Sequence, residues 1–218
     1  MNGKSHPGTV KVWDIAVRIF HWSLVLAYAI AWFTEDFEEP HEIAGYVVLG
    51  LISFRLVWGF IGTRHARFAD FIYAPTSIVL YLKSLLTTHP KHYLGHNPAG
   101  GAMIILLLLS LFGVSVSGVL LEEVEEDPQA QIETTQVFAS LNPISNAYAD
   151  DDHDGDKGDE NPEEEFWEEI HELFANFSLF LVFVHIAGVL LASKLHKENL
   201  AKAMVTGRKR MPSGNDAD

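Results

Sequence analysis

Residues 102–121 run for 20 positions without one ionisable side chain, and that stretch constrains the chain more than any other feature. A helix rising about 1.5 Å per residue needs about 20 apolar residues to cross a hydrocarbon core of about 30 Å. Three further stretches meet the same requirement. Residues 173–193 contain only His185, residues 43–62 only Arg55, and residues 15–34 carry Arg18 and His21 in their first two turns. Arg18 is near enough to the end of its span to extend its charge to the interface. A soluble bundle would keep a polar face on every helix, and the third and fourth stretches have none. The expected fold is therefore an all-α integral membrane protein, a four-helix transmembrane bundle with spans at about 15–34, 43–62, 102–121 and 171–193. Acidic Glu35 and Asp36 follow the first span where a cleavage site would need small residues, so it reads as a span and not as a signal peptide.

The formal charge of −14 belongs to one loop. Residues 122–169 hold 18 acidic side chains and one lysine, a local net of −17, which leaves +3 for the rest of the chain. Lysine and arginine in short flanks set orientation. The N-terminal flank carries Lys4, Lys11 and Arg18, the second connection Arg64, Arg67, Lys83 and Lys91, and the C-terminal segment Lys194, Lys197, Lys202 and Arg208 to Arg210. The first connection has no basic residue and the third only Lys157. Both termini are thus expected in the cytoplasm, with a 1–14 tail, a 15–196 membrane domain in the bacterial inner membrane, an acidic periplasmic loop at 122–169 and a basic tail at 197–218. Between the second and third spans, residues 75–86 read as an amphipathic helix at the cytoplasmic interface. The absence of cysteine excludes disulfides, thiolate metal sites and covalent attachment of haem. Lipid is the expected surroundings, and no nucleic-acid partner is expected.

Four of the eleven histidines stand at membrane depth. His171 and His185 are 14 residues apart, close to four turns, so they share a helix face about 21 Å apart along the axis. Counting inward from the helix ends, His41 opens the second span level with His171. His21 lies about 20 Å into the first span, level with His185. Two facing imidazoles with no third ligand suit the axial positions of a haem better than a tetrahedral zinc. Arg55 lies 14 residues after His41, on the same face and at the depth of the inner pair. It either meets a haem propionate through its two-pronged guanidinium or extends to the cytoplasmic interface. His96 and Asn97, in the Gly95-His96-Asn97-Pro98 run before the third span, read first as a helix cap and second as residues at the cytoplasmic mouth that approach the inner haem or a quinone.

These residues carry a family resemblance. Val12-Trp13-Asp14 with Arg18, His21-Trp22, His41, Arg55 to Phe60, Ala66-Arg67-Phe68, Gly95 to Pro98, His171-Glu172, Asn176, and His185 with Gly188-Val189 together resemble the prokaryotic cytochrome b561 family, which includes the b-type cytochrome subunits of nickel hydrogenases. The resemblance spans about residues 11–196. It implies two haem b groups ligated by His21, His41, His171 and His185, with electron exchange between a membrane quinone and a periplasmic partner such as cytochrome c or an oxidoreductase subunit. Some members of the family look like oxidases of superoxide that reduce quinone, a second reading here; a haem-free metal or proton transporter is a third. The bundle could also pair as a homodimer. In the acidic loop, Asp150, Asp152 and Asp154 followed by Gly155 match the start of a calcium loop, although Asn161 replaces the closing glutamate and a solvated acidic run is the plainer reading.

Overall fold

A computed structural model describes residues 8–85, 93–126 and 162–210. In chain order they form β1 (Thr9–Lys11), α1 (Ile15–Phe33), α2 (Glu38–Ile61), two 3-10 turns (Arg64–Ala66 and Phe68–Asp70), α3 (Pro75–Ser84), α4 (Pro98–Glu126), α5 (Pro162–Leu195), α6 (Leu200–Thr206) and β2 (Arg208–Arg210). Asp150, Asp152 and Asp154 lie outside the described residues.

Helices α1, α2, α4 and α5 are the four expected spans, each long and apolar enough to cross a membrane. Several extend past their apolar runs. α5 has 34 residues, about 51 Å at 1.5 Å per residue. It begins at Pro162 with Glu163 to Glu165 in its first turn, and α2 begins with Glu38 and Glu39. Proline is preorganised for a helix start, and carboxylates there meet the positive end of the helix dipole. The apolar count therefore marks the part of the helix inside lipid, and the acidic turns mark where it emerges.

Large apolar side chains point outward along the spans, among them Phe33 at 81 % exposure and Phe60 at 74 %. In water such a surface would be strongly unfavourable; against lipid it carries no penalty. The shared core is narrow: Phe20 and Ala27 of α1, Val48 and Ile52 of α2, and Leu108 and Leu111 of α4. α4 packs most extensively against α5, α1 against α2, and α2 against α4. Two glycines on α4 permit this closeness. A Cβ at Gly113 would stand 2.7 Å from the Phe174 ring, and one at Gly101 would collide with the Phe71 carbonyl.

β1 pairs antiparallel with β2, setting Thr9 opposite Arg210. Both described ends of the chain therefore meet at one end of the bundle, here the terminal end, opposite the loop end where α4 leads into the acidic segment. Gly207 caps α6 with φ +77°, a conformation that favours glycine, and its carbonyl accepts from the Val12 and Trp13 amides at 2.9 and 3.2 Å. The expected basic tail is thus folded as far as residue 210, because it docks on the start of the chain.

Asp14 joins the start of α1 to the end of α2. One carboxylate oxygen caps α1 by accepting from the Val17 amide at 2.8 Å; the other accepts from the Thr63 hydroxyl at 2.5 Å and Trp58 Nε1 at 3.2 Å. Burial alone would raise its pKa, but hydrogen bonds from Thr63, Val17 and Trp58 outweigh that and hold it below 3.8. A carboxyl whose folded pKa is depressed stabilises above its unfolded pKa, and that contribution fades as pH falls through the folded value. Asp14→Ala is expected to cost about 2 kcal/mol near neutral pH, with the difference from the native chain shrinking below about pH 4. Unfolding in detergent across pH checks this; a difference as large at pH 3 as at pH 7 would contradict it.

Candidate functional site

At the loop end the structure brings His41 and His171 together, their ring centres 6.0 Å apart. His41 Nδ1 lies 2.9 Å from the Ala31 carbonyl, and His171 Nδ1 lies 3.0 Å from the Val114 carbonyl and 3.2 Å from Ser117 Oγ. A carbonyl can only accept, so both Nδ1 atoms carry the proton and both Nε2 atoms keep a lone pair for a metal. Imidazole–metal bonds of about 2.0 Å on each side place the two ring centres roughly 6 Å apart, which is the separation observed.

A cavity of about 720 Å³ opens around the pair, lined by residues of α1, α2, α4 and α5 that include Tyr28, Trp32, Ser115 and Gly118. That volume is in the range of cofactor pockets. The Ser115 hydroxyl is buried without a partner. A Cβ at Gly118 would come within 3.1 Å of His171 Cε1, so glycine lets the imidazole lie against α4. Among the described residues, seven carboxylates and no lysine or arginine line the cavity.

Deeper in the bundle, His21 and His185 are close enough to interact electrostatically, and His21 Nδ1 is buried without a partner. Between the two levels Tyr28 of α1 and Ser178 of α5 share a hydrogen bond of 2.8 Å. Among the described residues, neither α1 with α5 nor α2 with α5 belongs to the closely packed helix pairs. Among the described residues no three histidine, aspartate or glutamate side chains converge on one point.

Arg55 is 3 % exposed, with its guanidinium 5.2 Å from the Phe68 ring centre and 5.7 Å from that of Phe71. The guanidinium is buried against side chains of the connection that follows α2. One of its terminal nitrogens, Nη1, is buried without a partner, and a buried, unmatched donor on a cation calls for an anion.

Asn97 does cap α4, accepting from the Gly100 amide at 2.7 Å, but His96 has a different place. Its ring packs 4.4 Å from Trp13 and 4.8 Å from Phe71, and its Nδ1 is sealed without a partner. Burial, followed by the nearby charges of Arg55 and Lys209, pushes its imidazole down to about 3, so it is neutral at physiological pH. The Gly-His-Asn-Pro motif was the available signal, since only one of its two polar residues is needed for a cap. His65 is paired with Asp70 at 2.8 Å.

Comparison with known proteins adds three observations. The sequence model described as prokaryotic cytochrome b561 matches residues 12–207. A probable Ni/Fe-hydrogenase B-type cytochrome subunit of Rhodobacter capsulatus is 28 % identical, the match covering 50 % of this chain and 53 % of that protein. Its counterpart in Azotobacter vinelandii is 27 % identical, with 50 % and 58 % covered. The chain thus spans about half the length of these curated relatives. No solved structure matches it.

Proposed function

Since this chain belongs to the prokaryotic cytochrome b561 family, whose model covers residues 12–207, we propose that it is a diheme b-type cytochrome passing electrons between a membrane quinone and a redox protein outside the inner membrane. The observation that carries this reading is the His41–His171 pair, 6.0 Å apart with both Nδ1 protons held by carbonyls. His41 and His171 hold the outer haem, and His21 and His185 the inner one. Arg55 receives a propionate of the inner haem through its free donor. Bound haem supplies one-electron chemistry; the chain supplies ligation, orientation and local charge. The two levels, about 21 Å apart along α5, divide one long crossing into shorter steps.

The basic flanks support a cytoplasmic terminal end, because lysine and arginine concentrate there and carboxylates at the loop end. The acidic cavity mouth fits a cationic partner such as a basic cytochrome c, whose approach it would steer. It fits anionic superoxide poorly, since no lysine or arginine lines it. The relatives named as hydrogenase cytochrome subunits support an alternative partner of the same kind, an oxidoreductase subunit.

A dithionite-reduced minus oxidised spectrum of the detergent-purified chain, with haem counted by pyridine haemochrome, tests the reading. Two non-covalent haems per chain are expected. A folded, colourless protein would remove the cytochrome reading and favour a haem-free transporter.

A further inference from the structure

The last described residues, 208–210, reach back to the segment that leads into His96. Lys209, in the middle of β2, is 6 % exposed. Its Nζ donates to the Tyr93 carbonyl at 2.9 Å and the Leu94 carbonyl at 3.0 Å, with Glu198 Oε2 at 3.9 Å. Glu198 in turn accepts from the Arg210 amide at 2.6 Å. Burying an ammonium is costly unless it is paired and hydrogen-bonded, and here each requirement is met by a separate group. A tail lysine with no structural task would stay in solvent.

The two carbonyls belong to the segment that leads into His96. The carbonyl of His96 itself accepts from the Tyr73 hydroxyl at 3.1 Å. The ring of His96 rests on Trp13, whose amide donates to the Gly207 carbonyl, two residues before Lys209. Residues 207–210 therefore reach His96 from two directions, through Trp13 on its face and through the backbone on its approach.

We propose that Lys209 is a positioning residue for the inner site, fixing the 93–97 segment so that His96 stays packed on Phe71, the ring that the Arg55 guanidinium also meets. The consequence for the haem rests on the function proposed above, whereas the placement of the segment does not.

The test uses the full chain in detergent, as wild type, Lys209→Met and Lys209→Arg, with two readouts. Hydrogen exchange over peptides containing residues 93–97 reports the segment. Potentiometric titration reports each haem, the inner being the one lost in His185→Ala. Lys209→Met should speed exchange over 93–97 by about tenfold and shift the midpoint of the inner haem alone, with Lys209→Arg restoring both. Unchanged exchange would overturn the proposal, and so would equal changes along all four spans or in both haems. A wild type lacking the second haem would defeat the haem reading only, and the exchange arm would still decide the role of Lys209. If Lys209→Met does not accumulate, Glu198→Gln takes its place, with the same results supporting or overturning the idea.

Discussion

A His171→Ala variant is expected to lose one haem completely and keep the other, halving the haem content. The effect should be near total because nothing else in the pocket can replace the imidazole. The carboxylates of its lining are poor substitutes for nitrogen at a low-spin haem iron. The helix itself should survive, since His171 spends its hydrogen bonds on Val114 and Ser117 and alanine is a good helix former. The space vacated next to Gly118 should admit free imidazole, so millimolar imidazole is expected to restore the lost spectrum. Retention of both haems in the variant, measured by pyridine haemochrome, would refute His171 as a ligand.

The second large effect is expected at Arg55, and its sign depends on whether the haem is present. A buried guanidinium with a donor left unmatched is a destabilising element in the empty chain. Replacing it with leucine should leave the apo protein as stable or more so, since buried charges exchanged for apolar side chains of similar volume are often neutral or better. With haem bound the outcome reverses. Removing one partner of a buried, hydrogen-bonded charge pair costs about 2–5 kcal/mol, so the inner haem should dissociate at least about thirtyfold more readily. Thermal unfolding of the apo chain and haem transfer to an apo-globin acceptor separate the two effects. Equal haem loss from Arg55→Leu and wild type would show that the guanidinium serves the fold and not the cofactor.

Most of the bundle was legible because a lipid environment leaves few alternatives: a run such as 102–121 must be a helix. The histidine pairing was legible for a related reason, since rise per residue converts sequence position into depth, and depth paired His41 with His171 before any contact was seen. The helices run past the apolar spans because hydropathy stops where Glu38 and Glu163 begin, although carboxylates in a first turn are themselves a signal of a helix start. The contacts at the terminal end were not legible. Thr9 meets Arg210 and Trp13 meets His96 across most of the chain, and neither short strand has a local pattern to announce its partner. Lys209 looked like every other cation of a basic tail, and only its burial distinguishes it.

Each histidine pair takes one member from the first half of the chain and the other from α5. During synthesis, His21 and His41 enter the membrane long before His171 and His185 have been made. No pair exists until the last span is inserted, and the ribbon that seals the terminal end needs residues 208–210, later still. If the pairs hold haem as proposed, a ribosome stalled before α5 would display half of each pair and retain no cofactor, so haem capture follows the insertion of α5.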